Sequence, residues 1–305
     1  MTAAGASRRL FDRLNRRGFF GGAGGLALAA ATPMTAAAQS PEDAANLLED
    51  SLRVTGDISG KQSMGYGKVV AYAFIPGQRG FPVFGLEIYG ASRTNRTAAG
   101  WEKLHKEVGY YTDLASGQIL ERWKNPMLGK DVEVLPIMND PVNRRYAVDV
   151  SKPNAGLGFR VNRMAGHFLM TREVFLRYPS PLPRAEWPNN SSDDFYEATE
   201  MFNDFARLDE LADATKTSVP SIGSWTRIAP WLPWMEMGNR PGWLVYHGHG
   251  VKLMNGVADL PKIVRDYAEK HHSEWLTAPT QWAEPNETSW TYFKKVMEKR
   301  KAGGV

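Results

Sequence analysis

The chain has 305 residues, with 37 basic and 33 acidic side chains, a formal net charge of +4 and no cysteine. The lack of thiols excludes disulfides and thiolate chemistry, so stability must come from packing, to which ten tryptophans and eleven tyrosines contribute. The small charge excess excludes the clustered basic surface that a nucleic-acid binder needs.

Residues 1–38 read as an export signal rather than as part of a fold. A basic start leads into a short Gly/Ala/Leu run from Phe19 to Ala31, and small residues follow at Ala36-Ala37-Ala38. That run is shorter than the roughly 20 residues a membrane span requires. Arg16-Arg17 followed by Gly18-Phe19-Phe20 matches a twin-arginine signal, which implies the export machinery as a partner and a periplasmic destination. Cleavage after Ala38 would remove five arginines and one aspartate, leaving 267 residues with 32 basic and 32 acidic side chains. Residues 39–305 are expected to form a single β-rich domain that ends in helices over about 258–301, with no membrane span.

Next, "PEDAANLLEDSL" predicts an amphipathic helix with Ser40 as N-cap and Pro41 at the first position. "YGKVVAYAFIP" and "FPVFGLEIYGASR" alternate in polarity across "GQRG", which predicts a hairpin. "WEKLHKEVGYYTDL", "ILERWKNP" and "VEVLPIM" extend an antiparallel meander through closely spaced turns. After a loop-like stretch, "GFRVNRM" and "HFLMTREVFLRYP" return to strand texture, and "PSPLPRAEWPNNSS" reads as a surface excursion. "EATEMFNDFARLDELAD" is ambiguous in period and is assigned to strand. "SVPSIGSWTRIAPWLPWMEMG" and "GWLVYHGHGVKL" follow, and "DLPKIVRDYAEKHHSEW" and "ETSWTYFKKVMEKRK" predict terminal helices. So many consecutive strands predict a mainly β (α+β) fold, a large curved antiparallel sheet closing into a lipocalin-like barrel with C-terminal helices. A two-sheet β-sandwich is the alternative.

"VGYYTDLASGQILERWKNP", "NDPVN", "TSVPSIGSWTRIAPWLPWMEMG" and "LTAPTQWAEP" together resemble the bacterial and fungal family catalogued as domain of unknown function 1838. The resemblance runs from about Gly56 to about Pro285, and its most specific part is "SWTRIAPWLPWM". It implies one exported domain and brings neither an activity nor catalytic residues.

The chemistry must then come from the residues. In "VYHGHGV", His247 and His249 share parity with Val245, Val251 and Leu253, which predicts two imidazoles facing inward. Three readings stay open: hydrogen-bonded core histidines, general acid/base catalysis, and a metal pair completed by His167. No metal site is favoured. Trp225 and Arg227 share one strand face, where Arg227 can fork onto a carboxylate or phenolate between indole walls. Trp231 and Trp234 suit either a ligand wall or an aromatic plug, and Tyr246 is a further substrate-binding candidate. Tyr66 and Tyr111 are candidate proton-transfer partners, Tyr111 on the same face as His105 and Asp113. Asp113 before "LASG" fits turn chemistry better.

There is no G-x-G-x-x-G, P-loop, H-E-x-x-H or G-x-S-x-G. No cofactor is therefore expected. The reading that uses all these groups is a cofactor-independent lyase, isomerase or hydratase acting on a small aromatic or polycyclic compound. A non-catalytic periplasmic carrier of an apolar or aromatic ligand is the alternative, and a metal-dependent enzyme using the H-x-H pair is a third.

Overall fold

The structure is a computed structural model that describes residues 41–147 and 158–303. The export signal expected over residues 1–38 lies outside the described residues. Among those described, no helix is long and apolar enough to cross a membrane.

Helix α1 (Pro41–Thr55) leads into three long strands, β1 (Gln62–Phe74), β2 (Phe81–Thr97) and β3 (Gly100–Thr112). β4 (Arg122–Asn125) and β5 (Lys130–Glu133) form a separate two-stranded ladder, and β6 (Ile137–Asn139) and β7 (Arg144–Tyr146) both pair with β3. β8 (Arg160–Met164), β9 (His167–Pro179) and β10 (Phe195–Arg207) follow, then the one-turn helix α2 (Leu208–Ala212), β11 (Ser221–Ala229) and β12 (Trp243–Leu253). Helices α3 (Lys262–His271) and α4 (Ser289–Lys301) end the fold. The ambiguous segment is thus strand β10 running directly into a turn of helix.

All ten strands of the main sheet are antiparallel, in the order β6-β3-β2-β1-β12-β11-β10-β9-β8. Among the described residues no ladder joins the β6/β7 edge to the β8 edge, so the expected barrel does not close, and with one large sheet and only the small β4–β5 ladder beside it the sandwich does not form either. The physical reason lies at the edges. β6 and β7 have three residues each and β8 has five, too few backbone groups to zip a seam. Helix α1 bridges the gap instead, setting Leu48 and Leu52 against Trp101 at the start of β3 and Leu47 and Val54 against Phe168 and Met170 of β9.

The sheet curls into a trough because its central strands carry glycine on the inner face. A methyl group at Gly250 would lie 2.7 Å from the Tyr66 carbonyl oxygen, and one at Gly248 would overlap the Lys68 carbonyl. Only glycine lets neighbouring backbones approach this closely on the compressed side of a coiled sheet. The far end of the trough is filled by the aromatic segment after β11 and by Trp290 and Phe293 of α4, whose N-terminus is held by a Thr288–Thr291 capping box. The excursion before β10 also packs inward, burying Leu182 and Trp187. Helix α3 covers part of the outer face, with Val264 and Ala268 on Met64, Tyr89 and Val108.

Candidate functional site

Between α1 and the aromatic end, the inner face is unusually polar. Strand alternation brings Lys103, His105, Glu107 and Tyr111 inward from β3. Glu200, Phe202 and Asp204 come from β10, Trp225 and Arg227 from β11, Tyr246 from β12 and Arg172 from β9. Although β3 and β9–β10 lie at opposite ends of the sheet, the curl sets their charges within Coulombic reach. Lys103 feels Asp204 and Arg172, and Glu107 feels Glu200 and Arg227.

At the aromatic end, Arg227 donates to the Tyr196 hydroxyl and lies 3.5 Å from Glu200, which also accepts from Trp225 Nε1 at 3.2 Å. Trp225 leans on Tyr246, with centroids 5.8 Å apart, and stacks on Phe202 at 6.3 Å. Between Arg227, Trp225, Tyr246, Tyr111 and Trp290 is a cavity of about 10 Å³, about the room of one water. Arg227 Nε and the Tyr111 hydroxyl are buried without a protein partner, so the end is polar enough to hold such a water.

Toward α1, Glu107 accepts from Asn139 Nδ2 at 2.9 Å. Burial raises the Glu107 carboxyl, with the Glu200 charge adding to it, while Asn139 and Arg227 act the other way. His105 lies two residues away on the same face, its ring over Gly90, where a Cβ would meet Cδ2 and Cε1 at 3.3 Å. Burial and the neighbouring Lys103, Arg144 and Arg172 push His105 down to about 3, so its imidazole stays neutral. Lys103 donates to the Thr55 carbonyl at 2.9 Å and is lowered to about 8 by burial and by Arg144 and Arg172. Lys252 is committed to the end of α1, donating to the carbonyls of Arg53 (2.5 Å) and Gly56 (2.9 Å) and to the Ser218 hydroxyl (2.9 Å).

The sequence-predicted residues divide accordingly. Arg227, Trp225, Tyr246 and Tyr111 meet at one end of the trough. Trp231 and Trp234 are a plug: Trp231 donates to the Arg240 carbonyl, and Trp234 packs edge-on against Tyr111 and Trp123 and tilted against Phe84. Tyr66 lies on the opposite face, donating to Glu87, which also pairs with Lys68 at 3.2 Å. Asp113 caps its turn by accepting from the backbone of Ala115 and Ser116.

The inward assignment of His247 and His249 is overturned. Leu244 and Tyr246 are buried at 0% and 3% exposure, whereas Val251, of the histidines' parity, is 41% exposed. Both imidazoles are on the exposed outer face, where His247 Nδ1 shares a 2.9 Å hydrogen bond with the Thr226 hydroxyl. The H-x-H metal reading fails with it. His247 aligns through Thr226 and Met201 with Glu173, whereas His167 is six positions further along β9, roughly 20 Å at the rise of an extended strand. Among the described residues no three His, Asp or Glu side chains group as a metal site.

A family model described as protein of unknown function (DUF1838) matches residues 62–297. The chain belongs to that family. No curated protein matches the sequence. Among solved structures, a LolA superfamily protein from Nitrosomonas europaea is similar at 10% identity, over 75% of this chain and 100% of that one, with a TM-score of 0.20. The trough of this DUF1838 chain therefore has to be read from its own groups.

Sequence reasoning missed Lys103, Glu107, Arg172, Glu200 and Asp204, and gave His105 only a minor place. The signal was present in "WEKLHKEVGYY", where every second residue from Lys103 to Tyr111 is polar, aromatic or glycine. A half-exposed strand gives the same pattern, so the alternation alone does not tell inside from outside. A second pocket of the DUF1838 chain, about 300 Å³, lies outside the trough between α3, α4 and the segment 119–136. There the Tyr110 hydroxyl is 3.1 Å from His272 Nδ1.

Proposed function

We propose that the protein is a cofactor-independent enzyme of the lyase, isomerase or hydratase type, acting by proton transfer on a small aromatic compound bound in the trough. The observation that carries this reading is the adjacent pair His105 and Glu107. The carboxyl is raised toward its protonated form and can donate a proton, while the imidazole, kept neutral by burial and the cations around it, stays a hydrogen-bonding neighbour that adds no charge beside it. Trp225, Phe202 and Tyr246 supply flat walls for an aromatic body, and Tyr111 adds a buried hydroxyl. A carrier needs the walls but not a buried carboxyl raised toward its protonated form.

Export to the periplasm belongs to the same proposal and rests on Arg16-Arg17 and the small residues before Gln39. Intact mass of the periplasmic protein is expected to place its N-terminus at or near Gln39.

The chemical test uses solvent exchange. Compounds that quench tryptophan fluorescence saturably, drawn from a panel of aromatic acids, phenols and ketones, are incubated with protein in D₂O and followed by NMR. The native protein is expected to introduce deuterium or turn over at least one binder. Glu107→Gln should slow that reaction by about 10²–10⁴-fold, the range of a general acid/base group, with binding retained. Saturable binding without exchange or turnover for every binder would establish the carrier instead.

A further inference from the structure

We infer that the ligand of the trough is an aromatic carboxylate whose anionic group is held by Arg172, with Lys103 and Arg144 adding to the field. This rests on the trough being the binding site. It moves the anion-binding role from Arg227, the arginine that sequence reasoning chose, to one that the sequence did not single out.

The argument starts from what the cations lack. Arg227 already has a carboxylate, Glu200, and donates to Tyr196, although its Nε, like that of Arg172, has no protein partner. Arg172 has no carboxylate within 4 Å among the described residues, and its Nε is buried with no partner. Its guanidinium lies over the Phe202 ring at 4.3 Å, which fixes the plane and leaves the nitrogen edge to make hydrogen bonds. Lys103 has a single acceptor, the Thr55 carbonyl. Arg144, at the exposed rim, lies within Coulombic reach of both. Two carboxylates stand against these three cations: Asp204, which forms no ion pair among the described residues and which burial inclines toward its neutral form, and Glu200, which is committed to Arg227 and Trp225.

Like charges gathered in a sheltered trough repel one another, and an anion placed among them removes that cost. Lys252 is a further cation within Coulombic reach of Lys103 and Asp204, and His105, which stays uncharged, adds none. A carboxylate suits the stacked guanidinium through two parallel N–H donors, which a single ammonium cannot offer. The body of the ligand follows from position. Arg172, Phe202 and Trp225 align across three neighbouring strands, so a group seated on Arg172 directs its attached ring along the Phe202–Trp225 wall. The inner positions Gly223 and Gly250 pair in register beside that wall and carry no side chain over it.

The test compares 2-naphthoate, its neutral counterpart 2-naphthylmethanol and 2-naphthyl phosphate by tryptophan fluorescence and calorimetry. The native protein is expected to bind naphthoate at least tenfold tighter than the alcohol and tighter than the phosphate. Arg172→Met should remove the preference, so that acid and alcohol bind equally. Arg172→Lys, which keeps the charge, guards against a folding defect and should recover only part of the preference. Equal binding of acid and alcohol by native protein, or an acid preference that survives in Arg172→Met, would overturn the inference while leaving the trough as a binding site. A stronger preference for the phosphate would overturn the carboxylate assignment. If none of the three compounds binds, the trough reading falls and the inference falls with it.

Discussion

Replacing His105 with glutamine should flatten the acid limb of the stability profile. In an unfolded chain an imidazole titrates near 6.5, whereas in the trough His105 is pushed down to about 3 by burial and by Lys103, Arg144 and Arg172. Between those values the unfolded state binds a proton that the folded state does not. Stability is therefore fully present above pH 6.5 and falls as pH drops toward 3, by at most about 1.4 kcal/mol per pH unit. From pH 7 to pH 4 the full shift amounts to about 3 kcal/mol, and solvent screening in the open part of the trough reduces the expectation to about 1–3 kcal/mol. Glu107 acts in the opposite sense, because a raised carboxyl favours the fold at low pH and loses that advantage as pH rises. Its contribution is common to both proteins and cancels to first order in their difference. Urea denaturation of native protein and His105→Gln at half-unit steps from pH 7.5 to 4 measures that difference directly. Nitrogen shifts of the His105 ring should also report a neutral imidazole at pH 5. Parallel stability curves, or a ring that titrates near 6.5, would refute the buried, cation-ringed placement of His105.

Four further outcomes follow from the geometry. Gly250→Ala, whose methyl would press within 2.7 Å of the Tyr66 carbonyl, should lose about 1–3 kcal/mol in denaturant titrations. The neighbouring His249→Ala, on the exposed face, should stay within about 0.5 kcal/mol of native. Arg227→Met strands the Glu200 carboxylate, so a loss of about 3–5 kcal/mol is expected, with substantial recovery in the double variant Arg227→Met, Glu200→Gln. Elemental analysis of protein purified without chelator should find zinc and iron substoichiometric and unchanged by His247→Gln with His249→Gln, because no described residue stands close enough to the two rings to serve as a third ligand.

The strands were legible because their signals are local: hairpin turns, alternation and glycine punctuation identify β1 to β3 and β9 to β12. Whether the sheet closes depends on how many backbone groups its two edges present to each other, and no single segment encodes that. The misplacement of His247 and His249 has a specific cause. Their strand alternates Leu244, Tyr246, Gly248 and Gly250 with Val245, His247, His249 and Val251, and a hydrophobicity count favours the set containing two valines. The glycines contribute nothing to such a count, although they lie where the backbones crowd most. In a tightly coiled sheet, paired glycines at every second position mark the compressed side, and the intervening residues face outward however apolar they are. Applied to β1, the same rule turns Gly65 and Gly67 inward and Tyr66 and Lys68 outward, where their shared partner Glu87 lies. It also bears on β3, because Gly109 occurs in the alternate series of Lys103, His105, Glu107 and Tyr111. A glycine in a polar alternation thus places those polar groups inside the curl, where burial and neighbouring charges lower Lys103 and His105 and raise Glu107.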